Sequence, residues 1–153
     1  MAVNGAPKRL LLLDPSRAML ERGRACLRGL GVEPVLIQSM LGDTVLEPAH
    51  EALAAHILEY CPDPAAALTQ IRDTLRPGGR LYLVVSKPHL CNAIISLQWR
   101  HRTFGRAEIL TLVHEGGFAV EGSYALPSGP PSRTSMDYAQ SARIDPSTAA
   151  LVS

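Results

Sequence analysis

The sequence predicts an α/β fold with a mostly parallel sheet that ends in an antiparallel hairpin. Short, unalternating apolar runs alternate with segments of helical periodicity, which is the pattern of βαβ units. The chain has 153 residues, which fits one domain, with 46% hydrophobic and 19% charged residues. This composition predicts a packed core and argues against global disorder. Because only 5% of the residues are aromatic, we expect that core to be aliphatic.

The first part of the chain predicts a strand, a helix and a second strand. Four consecutive leucines, Leu10–Leu13, suit a short strand buried on both faces. Asp14 is placed to cap the following helix, with Pro15 at its first position and Gly31 at its end. The apolar segment Val35–Gln38 then predicts the second strand.

The middle of the chain predicts a second βαβ unit. Ala52–Ile57 is expected to be a strand, although alanine is a weak strand former. Asp63 followed by Pro64 repeats the cap-and-proline pattern. The helix then carries apolar residues at i, i+3 and i+7: Leu68, Ile71 and Leu75. The strongest strand of the sequence, Leu81–Val85, follows it.

The last part of the chain predicts one more helix and the hairpin. Glu108–His114 is expected to be helical, and Phe118–Leu126 to form an antiparallel strand. Arg133–Ser141 is expected to pair back onto it. We therefore expect a domain over residues 1–143 and a flexible tail over residues 144–153.

Charge, cysteine content and the first residues indicate a cytoplasmic protein. The net charge of +1 does not indicate a broad electrostatic footprint for nucleic acid, but it leaves a local basic patch open. The three cysteines, Cys26, Cys61 and Cys91, match no compact metal motif, and their odd number does not suit a disulfide framework. The chain shows no secretory pattern and no apolar run long enough to span a membrane. We expect no metal site.

One segment carries a resemblance to a known family. It reads Leu58-Glu59-Tyr60, then Asp63-Pro64, then Leu75-Arg76-Pro77-Gly78-Gly79 ahead of the strongest strand. This order and spacing resembles class I S-adenosylmethionine-dependent methyltransferases of the type 11/12 kind. The resemblance implies a Rossmann-like doubly wound sheet, S-adenosylmethionine as cofactor and methyl transfer to a small molecule or an RNA base.

The resemblance also implies positions that bind the cofactor. Asp14 matches the acid that binds the two ribose hydroxyls, Met40 and Leu41 match residues that flank the adenine, and His56 lies where the chain passes the methionine part and faces the substrate. His56 is the candidate catalytic base, since imidazole titrates near neutral pH. Each position has a structural alternative: a helix cap for Asp14, core packing for Met40 and Leu41, and a structural histidine for His56.

Candidate substrate residues follow the strongest strand and lie near the last one: His89, Trp99, Arg133 and Tyr138. Their arrangement has a faint similarity to the branch that methylates a carboxymethoxy-uridine in transfer RNA. Arg100, His101, Arg102 and Arg106 form a limited basic cluster beside Trp99, which could stack on a base. The alternative is a solvated face with one buried tryptophan.

The resemblance covers residues 8 to 142 and omits the family's first strand with its glycine-rich turn. That turn lets the backbone approach the methionine moiety closely, and the only glycine before Asp14 is Gly5. We therefore expect an N-terminally truncated fold. The chain could be a fragment, its second and fourth family strands could close up directly, or a homodimer or partner chain could complete the sheet.

Three functions remain open from the sequence. The first is a methyltransferase, possibly inactive alone, and the second is a non-catalytic methyltransferase-like binding or regulatory subunit. A nicotinamide-dependent oxidoreductase shares the architecture, but it needs a glycine fingerprint that this sequence lacks. Binding of S-adenosylmethionine by the isolated chain separates the first two.

Overall fold

A computed structural model of the chain describes residues 9–86, 102–125 and 137–144. It separates into two compact units, Met1–Val45 and Leu46–Ser153, and each is described by itself. Ile144, the first residue of the predicted tail over residues 144–153, belongs to the last strand, Asp137–Ile144. Residues 145–153 lie outside the described residues, so the predicted tail stays a prediction.

The first unit contains two parallel strands and one helix: β1 (Leu11–Leu13), α1 (Arg17–Gly29) and β2 (Val35–Ile37). Leu12 of β1 lies opposite Leu36 of β2. Helix α1 contacts the two strands, and Leu20 is its buried residue. These elements agree with the sequence prediction to within a few residues at each end.

The start of α1 differs from the prediction. The N-cap is Ser16, whose hydroxyl accepts a hydrogen bond from the Met19 N–H at 3.4 Å. The Asp14 carboxylate instead accepts from the Ser16 N–H at 2.7 Å and forms an Asx turn before the helix. The predicted cap role of Asp14 is therefore wrong, because the helix begins two residues later. Gly31 follows the helix with a φ of 77°, as expected for the residue that ends it.

The second unit contains a four-stranded mixed sheet with the order β3-β4-β6-β5. β3 and β4 are parallel, whereas β6 pairs antiparallel with β4 and with β5, which confirms the predicted C-terminal hairpin. The elements are β3 (Ala49–Ala55), a 3₁₀-helix (Leu58–Tyr60), α2 (Pro64–Asp73), β4 (Leu75–Ser86), α3 (Arg106–Glu115), β5 (Phe118–Ala125) and β6 (Asp137–Ile144).

Strand β4 begins earlier than predicted. Helix α2 ends at Asp73, so Leu75 belongs to the strand rather than to the helical face. Ala49 pairs with Leu75 and Glu51 pairs with Arg80, so the Arg76–Gly79 segment bulges out of the ladder. The bulge needs glycine, because Gly78 has a φ of 71° and a Cβ on Gly79 would lie 2.8 Å from the Arg76 carbonyl oxygen.

The core of the second unit lies between this sheet and the two helices. Alternate residues of β4 are fully buried, which places one face of the strand against the core: Leu81, Leu83 and Val85. A Cβ on Gly116 would lie 2.8 Å from the Leu68 Cβ, so the end of α3 approaches α2 closely. The prediction of a purely aliphatic core is wrong, since Phe104 and Phe118 are fully buried.

Two further observations concern the described part of the chain. Its helices are too short or too polar to span a bilayer. Cys26 and Cys61 are free thiols, whereas Cys91 lies outside the described residues.

Candidate functional site

In open α/β folds, ligands bind at the carboxyl ends of parallel strands. The described residues form two such edges, one at the ends of β1 and β2 in the first unit and one at the ends of β3 and β4 in the second. We call them the first edge and the second edge.

Asp14 lies at the first edge, directly after β1. Its backbone N–H donates to the Ile37 carbonyl at 3.3 Å, which holds it beside the end of β2. Its Oδ1 accepts from the Ser16 N–H, and no donor among the residues that the structure describes reaches Oδ2. Asp14 is half-buried. A half-buried carboxylate with one oxygen available can accept hydrogen bonds from a ligand's hydroxyl groups.

Met40 and Leu41 lie in the turn that follows β2 at the same edge. The Asp43 N–H donates to the Met40 carbonyl at 3.3 Å, and Gly42 has a φ of 90°, so the turn is closed. Met40 is 57% exposed and Leu41 is half-buried. The alternative that both are ordinary core residues does not fit Met40, whose thioether chain is available to a flat apolar ligand.

The second edge brings three polar side chains together although they are up to 30 residues apart. His56 directly follows β3, Ser86 ends β4, and Glu59 lies in the 3₁₀-helix. The Ser86 hydroxyl lies 3.2 Å from His56 Nδ1, and Glu59 Oε1 lies 3.1 Å from the same nitrogen. The Ser86 N–H also donates to Glu59 Oε1 at 2.7 Å. We call this group the His56–Glu59–Ser86 cluster.

The Glu59 side chain is fully enclosed. It has no exposed surface, whereas that of His56 is 38% exposed. Glu59 Oε2 is buried, and no donor in the described structure reaches it. Burial acts to raise the pKa of Glu59, but the hydrogen bonds from His56 and from the Ser86 N–H outweigh burial and lower the pKa below its usual value. A buried carboxylate that is ionised beside an imidazole can hold a proton on that imidazole.

His56 also has an unusual backbone. Its φ is 54°, the only positive φ of a non-glycine residue that the described structure shows. Its N–H donates to the Val84 carbonyl at 2.9 Å, which ties it to β4. Histidine enters this left-handed region more readily than most residues, but such conformations still cost energy and cluster at functional sites.

The predicted site residues lie at different edges, and some of them lie outside the described residues. Asp14, Met40 and Leu41 share the first edge, and His56 lies at the second. His89, Trp99 and Arg133 lie outside the described residues, and Tyr138 lies in β6 opposite Val85, with only its backbone described. These substrate assignments stay predictions.

Two residues of the second edge were not identified from the sequence. Glu59 entered only as part of the family resemblance, and Ser86 was not singled out. The available signal was an acid three residues after the candidate base in an otherwise apolar segment. Ser86 had no such signal, because its contact with His56 depends on the pairing of β3 with β4.

The basic cluster is partly described. The Arg102 guanidinium forms an ion pair with Glu108 at 2.8 Å and lies 5.1 Å from the centre of the Phe104 ring. Both partners of its charge therefore belong to the second unit. Residues 9–86, 102–125 and 137–144 contain no group of three His, Cys, Asp or Glu side chains that could hold a metal ion.

Comparison with known proteins decides the family. Residues 1–83 match the sequence profile of the methyltransferase domain, and this is more than half of the chain. The chain belongs to the methyltransferase-domain family. The match includes Asp14, Met40, Leu41, His56 and Glu59. No match was found among the curated proteins.

Solved structures confirm the methyltransferase fold. A candidate methyltransferase from Bacillus halodurans superposes with a TM-score of 0.72 at 16% identity, covering 90% of this chain and 84% of that one. The N-methyltransferase NodS from Bradyrhizobium japonicum, in complex with S-adenosylhomocysteine, gives 0.65 at 19% identity, with 91% and 67% covered. A Haloferax volcanii complex of the Trm112 methyltransferase activator with a candidate methyltransferase gives 0.68 at 16%, with 90% and 72% covered.

These findings confirm the predicted α/β Rossmann-like fold and the predicted resemblance. S-adenosylmethionine-dependent methyl transfer is the function of the family to which the chain belongs, and S-adenosylmethionine is its cofactor. No observation on the described residues or in the comparisons favours the non-catalytic alternative. The first edge fits the nucleoside part of this cofactor, since it offers a carboxylate acceptor and an exposed apolar side chain.

Proposed function

We propose that this methyltransferase binds S-adenosylmethionine and methylates a small molecule, with Asp14, Met40 and Leu41 binding the nucleoside and His56 serving the acceptor. The observation that carries the proposal is the half-buried Asp14 carboxylate at the end of β1, whose Oδ1 accepts from the Ser16 N–H, while no donor among the described residues reaches Oδ2. One carboxylate can accept hydrogen bonds from two neighbouring hydroxyls, as a ribose presents them.

Each residue has a stated task in this proposal. Asp14 Oδ2 accepts from the ribose, and the Ser16 N–H keeps the carboxylate oriented. Met40, which is 57% exposed, covers one face of the adenine, and Leu41 supports the turn beside it. The bound cofactor supplies an electrophilic methyl group on a sulfonium. His56 accepts the proton that an acceptor hydroxyl or amine must lose.

The charge of the chain favours a small acceptor over RNA. Proteins that bind nucleic acid neutralise several phosphates with lysine and arginine. The net charge of this chain is +1, and four of the six described arginines of the second unit pair with acids: Arg72, Arg80, Arg102 and Arg143. Arg80 and Arg143 share Glu121 at 2.9 and 2.8 Å. Transfer RNA is retained as the alternative substrate in the test below.

The exposed edge of β3 supports a further proposal, that a second copy or a partner chain adds a strand. β3 is the outer strand of the four-stranded sheet, and its Leu53 is 73% exposed. Unpaired strand edges attract pairing. Sedimentation analysis at increasing concentration tests this: we expect a dimer that Leu53→Lys weakens, and a monomer at all concentrations would contradict self-association.

Calorimetric titration of the folded chain tests cofactor binding. We expect S-adenosylmethionine and S-adenosylhomocysteine to bind, and Asp14→Asn to weaken binding by about 10-fold to 100-fold, as the loss of charge-assisted hydrogen bonds would. Asp14→Asn keeps an oxygen for the Ser16 N–H. Asp43→Asn is the matched control, since Asp43 is an exposed carboxylate in the turn after β2, and it should bind like the wild type.

The outcomes separate the alternatives. No binding by a chain with a cooperative unfolding transition would contradict methyl transfer by this chain alone and favour the regulatory subunit. Equal weakening by the two variants would remove the ribose role of Asp14. Transfer of labelled methyl groups to bulk transfer RNA, but not to a small-molecule extract, would replace the proposed acceptor class.

A further inference from the structure

We infer that Glu59 is a positioning residue that holds the proton of neutral His56 on Nδ1, so that Nε2 is the atom that accepts the proton of the methyl acceptor. This inference deepens the proposed function and rests on it for its catalytic purpose. It concerns a residue to which the sequence assigned no role, and it implies an acceptor that carries a removable proton.

The Glu59 carboxylate pairs with His56 at Nδ1. Glu59 Oε1 lies 3.1 Å from this nitrogen and accepts the Ser86 N–H at 2.7 Å. An ionised carboxylate oxygen is an acceptor only, so its approach to a ring nitrogen requires that the nitrogen carry a hydrogen. A neutral imidazole carries one N–H, and the other nitrogen then holds the lone pair.

Ser86 also contacts His56 Nδ1 and competes there with Glu59. Its hydroxyl lies 3.2 Å from Nδ1 and could donate a hydrogen bond there if Nδ1 held the lone pair. That arrangement would set the lone pair against the Glu59 carboxylate at 3.1 Å. The hydroxyl therefore acts as a second acceptor or donates elsewhere, and the carboxylate decides where the proton lies.

The arrangement of Glu59 and His56 costs free energy in two ways. Glu59 Oε2 is buried and no donor among the described residues reaches it. Burying a carboxylate oxygen without a hydrogen-bond donor costs free energy, because its lost hydration is not replaced. His56 meanwhile adopts a left-handed backbone that its contacts must maintain. The buried carboxylate oxygen and the left-handed backbone thus both occur in the His56–Glu59–Ser86 cluster, at an edge of parallel strands where ligands bind in such folds.

Methyl transfer in this proposal releases one proton from the acceptor. The acceptor oxygen or nitrogen forms a bond to the methyl carbon as the bond from that carbon to sulfur breaks, and the sulfonium charge is discharged to a neutral thioether. The acceptor's proton passes to His56 Nε2, and the imidazolium that results has Nδ1–H against the Glu59 carboxylate. Glu59 stays ionised throughout and stabilises that cation.

Nitrogen-15 spectroscopy of the histidine side chains tests the inference without cofactor or acceptor. The chain has five histidines, and the signal that His56→Gln removes identifies His56. We expect the Nδ1–H tautomer in the wild type. We expect Glu59→Gln to lower the ratio of Nδ1–H to Nε2–H by about 5-fold or more, because a charge-assisted bond becomes a neutral one.

Two controls isolate Glu59. Glu51→Gln changes an exposed glutamate of β3 and should leave the tautomer ratio unchanged. Ser86→Ala removes the competing hydroxyl and should keep the Nδ1–H form. An Nε2–H tautomer in the wild type, or a Ser86→Ala chain that changes tautomer while Glu59→Gln does not, would overturn the inference.

A purely structural role gives a different result. Glu59→Gln would then lower the melting temperature strongly and leave the tautomer of the folded protein unchanged, which would also overturn the inference. The tautomer measurement needs no ligand. If His56 does not show the expected tautomer while S-adenosylhomocysteine binds normally, only the role of Glu59 is contradicted. Failure of binding with the expected tautomer would instead remove the proposed function.

Discussion

The two edges differ in how their polar groups are held. At the first edge, Asp14 is half-buried with one local hydrogen bond, from a residue two positions along the chain, and Met40 is mostly exposed. At the second edge, Glu59 is fully enclosed and contacts His56 and, across 27 positions of sequence, Ser86. The side-chain contact at the first edge is local, and its carboxylate is partly exposed to solvent. The side-chain contacts at the second edge join residues far apart in the sequence and enclose a charge.

This difference suggests different tasks. A partly exposed acceptor such as Asp14 suits recognition, because a ligand can replace the water around it at low cost. An enclosed carboxylate acts on the imidazole beside it with little screening, which suits control of a proton. The core shows the same contrast, since nearly all fully buried apolar residues of the described chain lie in the second unit and Leu20 is the buried apolar residue of the first.

The largest expected effect is on the core of the second unit. Leu83→Ala removes a fully buried side chain of β4 and should lower the free energy of unfolding by about 2–5 kcal/mol. Leu12→Ala removes a half-buried side chain of β1 and should cost about half as much or less. Chemical denaturation measures the two values. Equal losses would contradict the assignment of the main core to the second unit.

The next effect is on acid stability. The folded-state pKa of Glu59 is lowered, so its contribution to stability is present above the usual glutamate value of 4.5 and is lost as the pH falls below it. Unfolding measured from pH 6 to about pH 3 should show this loss in the wild type and less of it in Glu59→Gln.

The first unit offers a contrasting acid for the same experiment. The hydrogen bond from Arg28, together with Arg24, lowers the pKa of Glu33, but that pair is exposed. Salt at about 0.5 M should remove most of any acid dependence due to Glu33 and preserve that due to Glu59. Equal salt sensitivity in Glu33→Gln and Glu59→Gln would contradict the enclosed environment of Glu59.

The smallest expected effect is on the helix caps. Asp63 accepts from the N–H groups of Ala65 and Ala66 at 3.0 Å each, whereas Ser16 accepts from one N–H at 3.4 Å. Asp63→Ala should therefore cost about 1–2 kcal/mol and Ser16→Ala about 0.5 kcal/mol. Thermal unfolding measures the difference, and a larger loss for Ser16→Ala would contradict the geometry of the two caps.

Local patterns predicted most of the described elements, because apolar runs and cap residues act over a few positions. They failed where a second residue able to cap a helix follows the predicted one, as Ser16 follows Asp14. They also failed where strand pairing decided the outcome, as with the bulge in β4 at Gly78 and Gly79. The residues of the candidate site also divide into those that a local pattern indicates and those that strand pairing brings together. Asp14 and His56 stand out by residue type, but the contact of Ser86 with His56 exists only because β3 and β4 are neighbours.

Titration of the isotope-labelled chain with S-adenosylhomocysteine, followed by amide NMR, tests the central claim that the carboxyl ends of the parallel strands bind the cofactor. We expect the largest amide shifts at Asp14, at Met40 and Leu41, and at His56. Shifts confined to the surface cleft lined by His50, Arg76 and Arg143, or no shifts at saturating ligand, would contradict it.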